Sequence, residues 1–126
     1  MHFQFYKLLT FNSNIQMKRL ENKVAIVTGG AAGIGAATAT RFAAEGAITI
    51  IWDLDEVRGK ELSAKLNSKG QKAEFAKVNT ANFSEIEKAA KAVVEKHGKI
   101  DILINNAGIT RDSSLKKMTP ELWQQV

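Results

Sequence analysis

The sequence predicts an α/β protein, the N-terminal half of a doubly wound parallel sheet. Short β-branched apolar runs alternate with helix-forming segments from residue 23 onward. The runs are apolar at consecutive positions rather than at every second one, as strands covered on both faces must be. A glycine-rich turn, TGGAAGIG at residues 28–35, joins the first run to the first helical segment. With right-handed crossovers, such units place helices on both faces of one sheet.

Residues 23–28 (KVAIVT) form the first strand. Residues 33–45 are alanine-rich and free of proline, hence helical, with Gly46 at the C-terminal cap. Residues 47–52 (AITIIW) are the second strand, closed by Asp53. Asp55 caps a helix whose face carries Val57, Leu62 and Leu66 and which ends by Gly70. Residues 73–78 are the third strand. Ser84 and Glu87 make a capping box for a helix with Ile86, Ala90, Val93 and Val94 on one side, stopped by Gly98. Residues 100–104 are the fourth strand, running into Asn105-Asn106-Ala107-Gly108. A loop leads to Thr119 and Pro120, the N-cap and first position of another helix.

A chain of 126 residues holds one small domain. It has no cysteine, which excludes a disulfide framework and a thiolate metal site and fits a cytoplasmic location. The net charge of +5 is spread along the chain among acids, as solvated helix faces are, and predicts no nucleic-acid surface. No apolar run approaches the ~18 residues of a membrane span. Residues 1–16 hold three of the six phenylalanines and the single tyrosine, Tyr6, and read as a non-native or disordered extension. The domain proper is expected over 17–126, as an incomplete unit that stops about two turns into its last helix. The fourth strand is then an apolar edge, and poor solubility follows from it.

Three motifs carry chemistry. At the turn, backbone N–H groups at a helix N-terminus can hold a pyrophosphate, and glycines let the backbone approach it. The glycines are Gly29, Gly33 and Gly35, spaced G-x-x-x-G-x-G rather than G-x-G-x-x-G. No Gly-Lys-Ser/Thr follows, which excludes a Walker loop. Taken alone, the turn also fits a βα connection with no ligand. Asp53 ends the second strand, where a carboxylate can accept from a ribose diol and repels a 2′-phosphate. Asn105 to Gly108 end the fourth strand, where open α/β sheets bind ligands.

TG-x-x-x-G-I-G, an acid closing strand two and N-N-A-G closing strand four together resemble the short-chain dehydrogenases/reductases. The resemblance covers about residues 17–126, the first half of a typical member, and implies a Rossmann fold. Residues 105–112 (NNAGITRD) with 115–118 are most similar to 3-oxoacyl-[acyl-carrier-protein] reductases and acetoacetyl-CoA reductases. It implies that Gly29, Gly33, Ile34 and Gly35 shape the pyrophosphate site, with Thr28 and Ala31 ordering the turn. Asp53 holds the adenosine ribose, with Leu54 beside it. Asn79 and Thr80 stand near the adenine, where the family has an aspartate and an apolar residue; the Asn79 amide oxygen can still accept from the adenine amine. Asn106, Ala107 and Gly108 line the nicotinamide half, and Asp101 is structural.

The cofactor expectation divides. NADPH-dependent relatives place a basic residue where Ala32 stands, and this chain adds Asp53, so NAD(H) is preferred and NADP(H) is the second reading. The implied reaction is reduction of a carbonyl, such as a 3-oxoacyl thioester, by a homo-oligomeric enzyme. It needs a tyrosine, a lysine four residues later, a serine and an asparagine. None can be placed, because Tyr6 lies outside the domain and is followed directly by Lys7. No catalytic residue and no metal ligand is assigned, and residues 1–126 alone are expected to be inactive. A nucleotide-binding half-domain without catalysis, or an interaction remnant, is the alternative, with a methyltransferase a minor third.

Overall fold

The computed structural model describes residues 18–108 and 119–125. The expected extension at 1–16, the loop at 109–118 and the side chain of Trp123 lie outside the described residues. Elements follow the predicted order: β1 (Val24–Thr28), α1 (Gly33–Ala44), β2 (Ile48–Asp53), α2 (Glu56–Ser68), β3 (Lys72–Lys77), α3 (Phe83–His97), β4 (Ile102–Ile104) and α4 (Pro120–Gln125). The four strands form one sheet in the order β3-β2-β1-β4, and every neighbouring pair is parallel. The first three strands run outward from the centre and the fourth returns to the other side of β1, which places the crossover point at the ends of β1 and β4.

Side-chain alternation along β1 and β2 divides the core into two layers. Val24, Ile26, Ile50, Trp52 and Val78 face α3 through Val93. Val27, Ile51 and Ala73 face α1 and α2 through Ala39, Ala43 and Leu66. Both faces of the central strands are therefore dry, as their unbroken apolar runs require. Gly59 is the close-packing point of α2 against the sheet, since a Cβ there would strike the ring of Phe75. That contact sets the buried face of the helix at Gly59, Leu62 and Leu66. Val57, expected on this face, is 69% exposed instead, because two residues turn it to the far side of the helix. Val94 likewise points outward beside buried Val93.

Several element boundaries differ from expectation by a residue or two, and two of the differences have a local cause. The N-cap of α3 is Asn82, whose Oδ1 accepts from Glu85 N at 3.3 Å, and not Ser84. Asparagine caps as well as serine does, and it stands in the extended backbone that a cap needs. Glu85 then accepts from Asn79 N at 3.3 Å, and Glu87 pairs with Lys91 along the helix. β4 starts at Ile102 rather than 100, because Asp101 takes over its first pairing: its N–H donates to Val24 O at 2.9 Å and its Oδ2 accepts from Val24 N at 2.8 Å. That backbone bond holds the Asp101 carboxyl below the usual range.

The outer edge of β3 is covered at Ala73 by the Asn67 side chain, which accepts from Ala73 N and donates to Ala73 O, both at 2.9 Å. An amide thus stands where another strand would pair. On β4, Leu103 is 52% exposed although its register partner Ile26 is buried.

At the opposite end of the sheet from the turn, Glu45 ties the entry segment to α1. It accepts from Arg19 Nη2 at 3.0 Å, Arg19 N at 3.2 Å and Arg41 Nη2 at 2.6 Å. The bonds from Arg19 hold its carboxyl at about 2. A carboxyl lowered in the folded chain stabilises the fold above its unfolded value and loses that contribution as the pH falls towards 2. The melting temperature should therefore drop between about pH 4.5 and pH 2 more steeply than in Glu45→Gln, with the two curves converging at the acid end. Parallel curves in thermal melts across that window would remove the claim.

Candidate functional site

The ends of all four strands open onto one crevice of about 570 Å³. The turn after β1 builds its centre. Gly29 and Gly33 have φ of +63° and +57°, left-handed values that side chains disfavour. Gly29 also lies so close to Ala107 that a Cβ would come within 2.9 Å of its Cα. A Cβ on Gly35 would run into Gly29 O and stand 2.6 Å from Asn106 Nδ2, so Gly35 is the point where α1 packs on the turn and on the end of β4.

The helix starts differ in a way that matters for ligands. α2 and α3 are capped by the side chains of Asp55 and Asn82. α1 has Ala32 at its N-cap and no side-chain cap bond. Its first-turn N–H groups face the turn without a carboxylate or amide to satisfy them, which is the arrangement that accepts a phosphate.

Thr28 joins the turn to β4. Its hydroxyl donates to Ile104 O at 3.2 Å and accepts from Asn106 N and Ala107 N, both at 3.0 Å. Asn106 Nδ2 donates to Gly29 O at 3.2 Å. The threonine expected to order the glycine turn therefore also fixes the segment after β4, and Asn106 returns the contact.

Asp53 stands at the end of β2, partly buried. Its Oδ2 accepts from Ala31 N at 3.0 Å and its Oδ1 from Asp55 N at 2.9 Å. Both oxygens keep lone pairs for a further donor. At the end of β3, Asn79 Oδ1 accepts from Ala81 N at 3.0 Å.

Of the residues expected at the site, Gly29, Asp53, Leu54, Asn79, Thr80, Asn106, Ala107 and Gly108 line the crevice. Ala31, Gly33, Ile34 and Gly35 do not. Ala31 and Gly35 are buried supports, and Ile34 is 78% exposed. The crevice is also lined by Trp52, Val78 and Ala81, which sequence reasoning missed. Trp52 and Val78 read as core, and they are core; their position at strand ends, one residue before Asp53 and Asn79, was the available signal. Asp53 is the one ionisable side chain among the described lining residues.

A nicotinamide dinucleotide fits what is present: an uncapped helix start, a glycine turn that a side chain would disturb, and a carboxylate with free lone pairs one strand away.

Comparison with known proteins bears on the same stretch. The short chain dehydrogenase profile matches residues 23–126. The chain is 41% identical over 107 residues to a 3-oxoacyl-[acyl-carrier-protein] reductase FabG of Chlamydia pneumoniae, covering 85% of this chain and 43% of that protein. It is 42% identical over 108 residues to a galactitol 2-dehydrogenase of Agrobacterium fabrum, covering 86% and 41%. The crystal structure of gox2181 superposes with a TM-score of 0.80 at 37% identity, over 86% of this chain and 43% of that one. A metagenomic short-chain oxidoreductase in complex with NADP gives 0.79 at 30%, over 85% and 49%. The chain thus spans less than half the length of the relatives it matches. The profile takes in the glycine turn, Asp53 and the whole sheet, and the solved relatives share its strand arrangement: the chain belongs to the short-chain dehydrogenase/reductase family of oxidoreductases.

Proposed function

We propose that this chain supplies the cofactor half of an NAD(P)-dependent oxidoreductase that reduces a carbonyl, such as a 3-oxoacyl thioester, and that it prefers NAD(H). Bound nicotinamide would supply the hydride; the residues described here bind and orient. On this reading the parts of the dinucleotide follow the strand order. The pyrophosphate meets the first turn of α1, the adenosine ribose meets Asp53 on β2, the base continues toward β3, and the nicotinamide half lies toward Asn106, Ala107 and Gly108 on β4.

The observation that carries the cofactor preference is the charge of the crevice. Asp53 is the single ionisable lining residue among the described residues, and Ala32 offers no cation. A 2′-phosphate would sit against a carboxylate with no lysine or arginine among the described lining residues to offset it, whereas a ribose diol donates to that carboxylate. Two solved relatives are described in complex with NADP, one of them a short chain dehydrogenase from Burkholderia cenocepacia, so related crevices do take the phosphate. The preference proposed for this chain rests on its local charge alone.

Fluorescence titration of the chain with NADH and NADPH tests the reading. NADH should bind at least about tenfold tighter, and Asp53→Ala should narrow the gap. Tighter binding of NADPH refutes it. Offered a 3-oxoacyl thioester, the same preparation should oxidise no NADH, since Tyr6 is the sole tyrosine and precedes the sheet; that observation favours the second reading, a nucleotide-binding unit that does not catalyse alone. A cytoplasmic location and a homo-oligomeric assembly complete the proposal. No helix among the described residues is long and apolar enough to cross a membrane.

A further inference from the structure

The end of β3 presents the crevice with an amide in a fixed orientation. Asn79 follows β3 directly and lines the crevice. Its side-chain oxygen accepts from Ala81 N at 3.0 Å. A backbone N–H can only donate, so the atom it meets must be Oδ1 and not Nδ2; the neighbouring backbone decides which end of the amide faces which way. The turn is held from behind by Glu85, which accepts from Asn79 N at 3.3 Å. Nδ2 has no hydrogen-bond partner among the described residues. Nδ2 is therefore a free donor, while Oδ1 keeps one lone pair beside its bond from Ala81 N.

The position of this donor follows from the sheet order. With phosphates at the turn after β1 and ribose at Asp53 on β2, the next strand outward is β3, so the base reaches Asn79. Leu54, 58% exposed, and Val78 give the ring apolar surfaces to rest on. A carboxylate at position 79 would present acceptors only and would select a base edge that carries an amino group. The amide offers a donor as well as an acceptor, and so can match either edge. A donor matches the ring nitrogen of a 6-aminopurine, and it matches the exocyclic oxygen of a 6-oxopurine at least as well.

We infer that Asn79 sets the base specificity of the crevice, making it accept a 6-oxopurine dinucleotide on equal terms with the adenine one. This rests on the dinucleotide reading above. Both ligands share phosphates, riboses and nicotinamide, so the ratio of their affinities isolates the base. The Oδ1 bond to Ala81 survives in Asn79→Asp, because a carboxylate oxygen accepts equally well, and the turn is kept. The added charge weakens both ligands alike and cancels in the ratio.

The test is fluorescence titration of the full chain and of Asn79→Asp with NADH and with reduced nicotinamide hypoxanthine dinucleotide. The expected ratio of dissociation constants is near one in the parent chain, and it shifts about tenfold toward NADH in the variant. The same ratio in the two proteins, or a stronger preference for NADH in the parent, overturns the inference while leaving the dinucleotide site intact. Failure of the parent to bind either ligand overturns the dinucleotide reading and the inference with it.

Discussion

Gly35→Ala is expected to destabilise the chain by about 3 kcal/mol, at the upper end of the usual range for overpacking, and to lower the melting temperature by roughly 10–20 °C. The new Cβ would meet Gly29 O, a main-chain atom, and Asn106 Nδ2 at 2.6 Å. A flexible side chain could give way, but Gly29 is itself held in a left-handed conformation against Ala107. The strain thus reaches the turn, the start of α1 and the end of β4 together, and NADH affinity should fall by tenfold or more. Gly33→Ala separates this packing effect from backbone preference. A Cβ on Gly33 has nothing within 4 Å, so its cost is that of a left-handed alanine, about 1–2 kcal/mol. Thermal melts of the two variants check the argument; equal losses, or a Gly35→Ala melt within a few degrees of the parent, would show that the contact is not a constraint.

How much of this was legible before the structure depends on the range of each interaction. The strands were legible because burial between two helix layers imposes apolar side chains at consecutive positions, and 24–28 and 48–52 carry them. The turn and Asp53 were legible because their chemistry is local to one strand end. The α3 cap was misplaced because Asn82 and Ser84 both qualify, and tertiary geometry decides between them. The Asn67 cover over Ala73 could not be read, since it depends on where α2 descends relative to β3. Asn79 is intermediate. Its identity was plain, but the bond from Ala81 N that fixes which end of the amide is the oxygen depends on the turn after β3.

Thr28 shows the same limit most sharply, and its loss carries the second large effect. Its partners Asn106 and Ala107 lie more than 70 residues away in sequence, and no periodicity connects them. Thr28→Val preserves the shape of the side chain and its strand propensity and removes only the hydroxyl. Ile104 O loses one of its donors, Ala107 N loses its acceptor, and Asn106 N keeps only its 3.1 Å bond to Ile104 O. Ala107 is exposed and can turn to water, but Asn106 is partly buried beneath the turn. A net hydrogen bond contributes about 0.5–1.5 kcal/mol, and water at Ala107 and the Ile104 bond at Asn106 offset part of the three that are removed, so the expected loss is about 1–2 kcal/mol, roughly a 5–10 °C fall in melting temperature. The effect on binding should exceed what lost stability alone produces, because Asn106 holds Gly29 O and lines the crevice. NADH affinity should drop severalfold even at temperatures where the variant is fully folded. Thr28→Ser is the decisive companion. It keeps the oxygen and loses a methyl group, and it should restore binding with only a small cost in stability. If valine binds NADH as the parent does, or if serine fails as valine does, the hydroxyl is not what joins the phosphate turn to the end of β4.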